Sequence, residues 1–315
     1  MRATRPQPHT SKRRRAPRWW ELPGLADMRR PQSFWRRLRR SRTGFASLIV
    51  VILLVATALL GPLLYPISPA LTDFGHINAA PSLAHPLGTD RLGHDTLARL
   101  MAGLRVSLLV AGVVEAINIT VGGILGLLAG YFGGWVDLVI SRLADLLFAF
   151  PGLLLAILVA AVFGQWVTDH YGGTARLVLV AASISLVSWP LMARYVRGQT
   201  LSLRERDFVL AARAMGQSEL GVLRYHLLPN VAGLVITAAT LDVVSAIVGE
   251  ATLSLLGLGI QSPATSIGKM IVEATPQISQ NALLVLAPAA TLALLVLAFS
   301  FLGDGLRQAF DPDGR

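Results

Sequence analysis

The sequence predicts an all-α polytopic membrane protein with six transmembrane helices, and three observations carry that expectation. Of its 315 residues 53% are apolar and 15% charged, with a mean hydropathy of +0.58, too apolar for a soluble domain of this size. Six stretches approach the roughly 20 residues that cross a hydrocarbon core, at about 44–65, 105–130, 138–163, 176–196, 231–256 and 282–303. Lys and Arg also alternate between connections, as they do when basic residues stay on the cytoplasmic side. Fourteen of the 28 lie in the first 44 residues against only Glu21 and Asp27, and six more run from Arg194 to Arg224. The other connections hold few: Arg91 and Arg99, then Arg176, then Lys269. Both termini are therefore expected in the cytoplasm of a bacterial cell, with the chain in its inner membrane.

Residues 1–43 read as a basic cytoplasmic tail. Its first twenty residues have too little apolar content to fold and are expected to be largely disordered. Nearer the membrane, arginines alternate with Trp19, Trp20, Phe34 and Trp35, a pattern that suits an anionic lipid surface. Nucleic acid is not an expected partner, because no helix-turn-helix pattern or stacking platform accompanies the charge. Residues 44–104 give a first span and an external loop, and the apolar run from about 45 is too long for the core of a cleaved signal peptide. Residues 105–303 form the membrane core, which includes a polar connection at 200–230, and 304–315 form a second cytoplasmic tail. Within the core, Gly122, Gly126 and Gly130 make a small-residue ladder for close helix approach. Residues 253–259 end the fifth span or bend it.

The connection at 204–230 is polar, helical in pattern and bounded by membrane-length apolar runs, so it is built to touch something outside the membrane. Phe208, Ala211, Ala212 and Met215, then Leu220, Leu223 and Leu227, recur at steps of three and four and are expected to make one apolar helical face. Gly216 permits the turn that ends a first short helix, and Ser218 can cap a second. Pro229 is expected to mark re-entry into the bilayer, since proline does not continue a regular helix interior.

Ala211, Ala212 and Gly216, followed by Leu228 and Pro229, fall at the spacing of the cytoplasmic EAA loop of ABC-transporter permeases, and this stretch resembles one. Leu87, Gly88, Thr89, Asp90, Leu92, Gly93, Asp95, Arg99, Gly103, Arg105 and Ser107 resemble the segment entering the second span in the dipeptide, oligopeptide and nickel branch of those permeases. DLVISRLADLLFAFPGLLLAI, WPLMARYVRGQTLSLRERDF, GEATLSLLGLGIQSP and LAFSFLGDGLRQAFDP match the same family in order, so the likeness runs from about 44 to 313. The chain is similar to the "C"-type permease subunit of that branch. Leu210 departs from the pattern, standing where a glutamate is usual.

The resemblance implies a type I ABC importer permease fold with a cytoplasmic coupling helix. Glu205, Asp207, Ala211, Ala212, Arg213, Gly216, Leu228 and Pro229 would form the ATPase-coupling loop. It implies as partners a second, different permease, two ATP-binding subunits and an external solute-binding protein, which together move a di- or oligopeptide by alternating access. Nickel or another small solute is the nearer alternative. A self-sufficient secondary transporter or channel is the more distant one, for which inverted repeats are expected and none is evident. No enzymatic activity is expected of this chain. A P-loop needs a lysine after glycine to reach the terminal phosphates, and the only lysines, Lys12 and Lys269, are not in that frame. ATP and Mg are thus expected on partner subunits, with no cofactor and no metal here. The absence of cysteine removes disulfides, thiolate metal sites and thiol nucleophiles together.

Acidic groups inside a bilayer cost at least ~2.5 kcal/mol and so point to function. Glu115, Asp242 and Glu250 are the candidates for a translocation pathway, the last two eight apart and expected on about one helical face. Arg142 and Asp145 are expected to be structural charges at the cytoplasmic start of the third span. His76, His85 and His94, nine apart in the first external loop, fit no one-face ligand spacing and are expected to be solvated.

Overall fold

The computed structural model describes residues 34–310; residues 1–33 of the tail expected at 1–43, with Trp19 and Trp20, and residues 311–315 lie outside them. The described chain is helical throughout its membrane region: α1 (Phe34–Arg40), α2 (Arg42–Leu64), α3 (Thr96–Ile117), a π-turn (Asn118–Gly122), α4 (Gly123–Phe132), α5 (Gly134–Phe148), α6 (Gly152–Tyr171) and α7 (Ala175–Arg204). There follow α8 (Asp207–Ala214), α9 (Glu219–Val222), a second π-turn (Leu223–Leu227), α10 (Leu228–Leu255), α11 (Ile267–Ala274) and α12 (Leu283–Phe310). Among these, six continuous helical runs are long and apolar enough to cross a membrane: 42–64, 96–132, 152–171, 175–204, 219–255 and 283–310.

The span boundaries differ from the sequence expectation where polar residues enter helices. α3 begins at Thr96 rather than near 105, because Asp95 caps it by accepting a hydrogen bond from the Ala98 amide at 2.7 Å. The loop expected outside the membrane therefore ends at Asp95. The expected third span at 138–163 is divided at Ala149–Pro151: α5 carries Asp137, Arg142 and Asp145, and only α6 is a candidate span. α5 lies along the lower part of α7, where Arg197 donates to Asp137 at 2.6 Å and Arg194 to Asp145 at 2.7 Å. Arg142 and Asp145 thus sit before the break, on a helix of their own. The segment before the first span is not wholly irregular either. α1 packs on the end of α12, with Leu38 buried, the Phe34 and Phe310 rings 4.7 Å apart, and Arg37 donating to the Ala309 carbonyl at 3.4 Å.

Pro229 does not interrupt the chain's entry into the fifth span. Helix runs unbroken from Glu219 to Leu255, and the π-turn just before the proline closes with the Leu228 amide on the Leu223 carbonyl. The wider turn accommodates a ring that a regular α-helix would exclude.

Two large apolar clusters organise the interior, beside a smaller one of Val51, Ala298 and Leu302 between α2 and α12. One joins α3, α7, α10, α11 and α12 through Leu104, Val110, Val180, Ile247, Ile267 and Leu295. The other gathers Tyr131, Met192, Val196, Val209, Leu223 and Leu227 beneath the 205–227 connection. The glycine ladder is the seam between α4 and α7: a Cβ on Gly126 would stand 2.4 Å from the Ala193 carbonyl, and one on Gly130 2.8 Å from that of Arg197. Leu53, Leu60 and Leu63 of α2 and Leu154 and Leu158 of α6 face outward, as lipid contact requires.

Candidate functional site

The connection between α7 and α10 forms a short helical hairpin. α8 ends in a Schellman turn: Gly216 takes φ +82, its amide bonds the Arg213 carbonyl at 2.9 Å, and the Gln217 amide bonds that of Ala212 at 3.1 Å. Ser218 then caps α9 by accepting from the Gly221 amide, as its residue type predicts. Gln217 Oε1 lies 2.7 Å from His226 Nε2, which pins the turn to the π-turn beyond it.

The apolar residues of the hairpin face two ways, contrary to the single face expected. Val209, Ala212, Val222, Leu223 and Leu227 are buried against the rest of the chain. Phe208, Ala211, Met215 and Leu220 point outward, with Leu210 beside them, Met215 at 81% and Leu220 at 73% exposure. An eight-residue helix carrying apolar groups at 208–212 presents them on both sides, and the three-and-four spacing alone did not separate them. Of the residues expected in this loop, Ala212 is in the buried face, while Glu205, Asp207, Ala211, Arg213, Gly216, Leu228 and Pro229 are exposed.

The hairpin is held by Tyr131, which the sequence reading did not single out. Its hydroxyl hydrogen-bonds Glu219 and lies 3.4 Å from Arg213 Nε, whose guanidinium sits 4.7 Å above the ring. Arg204 donates to the Gly130 carbonyl at 3.1 Å, placing a cation at the C-terminus of α4. The end of the glycine ladder thus grips both ends of the loop. Tyr131 and Glu219 are 88 residues apart, and the only hint in sequence is a hydroxyl closing an otherwise apolar run.

Above this hairpin a cavity of about 740 Å³ opens between α7, α10 and α12, lined by Gln199, Asn230, Thr237, Asp242 and Arg307 among others. Asp242 reaches its upper end and is close enough to Glu115 for their charges to repel. Glu115 is buried at the end of α3, with Asn118 donating to it at 3.4 Å and Ser188 donating to Asn118 at 2.9 Å. No described protein group bonds Glu115 Oε2 or Asp242 Oδ2.

Glu250 is in a different environment. It is 1% exposed and accepts hydrogen bonds from Ser107 of α3 at 3.1 Å and Ser254 at 2.7 Å, while Ser254 lies 3.3 Å from Ser266, the cap of α11. Asp242 and Glu250 therefore meet different surroundings from one broad side of α10, eight steps of about 100° leaving them some 80° apart. Glu250→Ala strips the acceptor from this network, at roughly 1–3 kcal/mol for each buried donor left unpaired, so detergent melting is expected to fall clearly, with Glu250→Gln retaining most of the stability. Unchanged melting with lost transport would instead place this carboxylate on the transport route.

The loop between α2 and α3 is tightly organised. His94 lies 2.9 Å from Asp90, and His85 2.8 Å from the buried Asp95. Folding of the loop, unlike helical spacing, brings these partners together, so His85 and His94 are not the solvated side chains expected. Burial, then the bond and charge of Asp95, push the Tyr65 hydroxyl up to about 12. Burial opposes ionisation of Asp90, yet the amides of His94 and Leu92, the His94 ring and Arg99 together hold its carboxyl below the usual range. Arg99 also bonds Glu273, tying the start of α3 to α11.

Comparison with known proteins yields a consistent picture. The profile of the binding-protein-dependent transport system inner membrane component matches residues 122–315, and that of the N-terminal TM domain of oligopeptide transport permease C matches 31–81. The glutathione transport system permease protein of Pectobacterium atrosepticum is 39% identical over 92% of this chain and 95% of its own length. The oligopeptide transport system permease protein of Haemophilus influenzae is 37% identical over 90% of each. An inward-facing structure of the MetNI methionine ABC transporter superposes with a TM-score of 0.53 and 20% identity, over 68% of this chain and 96% of that one, which is a likeness of fold.

Proposed function

Since this chain belongs to the family of binding-protein-dependent transport system inner membrane components, as a multi-pass ABC permease subunit of the inner membrane, we propose that its cargo is a short peptide. The names of its relatives, glutathione and oligopeptide permeases, support that cargo class. So does Asp242 in the cavity wall, with Glu115 of α3 near it, a suitable counter-charge for a peptide's free amino group.

The exposed apolar group Phe208, Leu210, Met215 and Leu220, on a hairpin gripped by Tyr131, carries the mechanistic reading: it is the surface on which an ATP-binding subunit seats. Two such subunits hold ATP and Mg, this chain holds no cofactor, a second and different permease completes the route, and an external binding protein delivers the peptide. Both termini and the hairpin are cytoplasmic, consistent with the arginines at 36–42 and 194–224. Closure of the ATP-binding subunits shifts the hairpin as a rigid body and turns the cavity from one side to the other.

Purification from native membranes in mild detergent is expected to bring down a second permease and P-loop ATPases. Recovery of the chain alone, or only with copies of itself, would overturn the docking reading. With the complex in liposomes, uptake of a labelled tripeptide is expected to be blocked by unlabelled peptide and much less by its N-acetylated form; equal competition would remove the role given to the acidic pair.

A further inference from the structure

One cluster in the external loop has no part in that mechanism. Asp73 caps the turn Phe74–His76, accepting from the Gly75 amide at 2.8 Å, and its second oxygen lies 2.8 Å from His76 Nδ1. The loop returns His85 to the same place, the two imidazole centroids being 5.4 Å apart. One ligand-type atom from each of Asp73, His76 and His85 lies within 4.8 Å of the others.

The orientation of His85 is fixed from behind. Its Nδ1 is 2.8 Å from a carboxylate oxygen of Asp95, whose side chain is only 1% exposed and which also accepts from Tyr65 at 2.8 Å and from the Ala98 amide at 2.7 Å. A carboxylate already serving two donors accepts a third, so Nδ1 carries a proton, and in the neutral imidazole Nε2 keeps its lone pair. A carboxylate behind an imidazole, with the other nitrogen free, is the arrangement that orients histidine on a metal.

We propose that Asp73, His76 and His85 form a binding site for a divalent transition-metal ion of the zinc type, with Asp95 as the positioning residue for His85. Two imidazoles and one carboxylate suit zinc, cobalt or nickel rather than magnesium or calcium. The metal takes the place of the proton shared by Asp73 Oδ2 and His76 Nδ1; tetrahedral ligands about 2.0–2.1 Å from zinc stand about 3.3 Å from each other, so the pair opens by roughly half an ångström. Three protein ligands leave a fourth position open, on the side where His76 is 60% exposed. The bound ion fastens the turn at 74–76 to His85, and through Asp95 to the start of α3 and the end of α2.

The test uses the full chain, purified without a histidine tag, titrated with Zn²⁺ against a chromogenic chelator and with Co²⁺ by its visible absorption. One equivalent is expected to bind at micromolar concentration or below. His85→Ala and His76→Ala should each weaken binding by at least about a hundredfold, at or beyond the roughly 10–100-fold that loss of an outer partner costs. His94→Ala, whose ring is engaged by Asp90 and Thr72, should leave it unchanged. Zn²⁺ should also slow amide exchange over residues 73–85 in the unmodified chain and not in His76→Ala, a readout independent of transport. No stoichiometric binding at micromolar Zn²⁺, or undiminished binding in the His76→Ala/His85→Ala double variant, overturns the proposal.

Discussion

Gly126→Leu is expected to remove most of the folded protein from the membrane, while Gly123→Leu in the same helix leaves its level unchanged. The contrast follows from what each side chain would meet. At Gly126 a Cβ stands 2.4 Å from the Ala193 carbonyl and 2.9 Å from Val196 Cβ, so a backbone must move before any rotamer fits. At Gly123 there is nothing within 4 Å. Overpacking a tight core costs about 1–3 kcal/mol and occasionally more, and here the clash is with backbone, so the upper end applies. It also spreads: Gly122 and Gly130 share the seam, and Tyr131 follows directly. Accumulation in membranes and monodispersity in detergent measure the outcome. Equal yields of the two variants would mean that α4 and α7 do not pack as closely as described.

Gly216→Val is expected to insert normally and to lose transport. The residue sits at φ +82 with open space around its Cα, so the substitution strains the turn without a clash. A non-glycine residue there costs about 1–3 kcal/mol, more readily for a β-branched one. Relief of that strain unwinds the Schellman bonds to Ala212 and Arg213 and displaces Met215 and Leu220 from the surface they share. Since 1.4 kcal/mol is a factor of ten in an equilibrium, uptake is expected to fall by about tenfold or more. Gly216→Asn, which tolerates this conformation, should recover much of it. Normal uptake by the valine variant would show that the turn is not needed in its present form.

Much of this organisation is legible along the chain because it depends on local order. Apolar runs gave the number of spans and located all but the third, which they ran together with α5, the ladder of Gly122, Gly126 and Gly130 is a seam, and Ser218 and Gly216 perform the cap and turn their chemistry allows. What was missed depends on partners distant in sequence. α3 starts early because Asp95 caps it, and hydropathy does not register a cap. His85 looks solvated until the loop folds it onto Asp95, and the buried and exposed sides of α8 differ only in what lies beneath them. The closeness of Glu115 and Asp242 likewise spans two helices that no local spacing relates.

The π-turn at Leu223–Leu227 sets the rotational phase of everything below it. A π-turn holds one residue more than the α-helical turn it replaces, and one residue is about 100° of rotation. In a helix uninterrupted from Glu219 to Leu255, that extra residue fixes the azimuth of Leu220 and of the attached α8 relative to Asp242 and Glu250. The side on which the hairpin offers its apolar group, and the side on which the upper helix meets its neighbours, are therefore two settings joined by a single added residue, and the helix keeps both along a rod about 55 Å long.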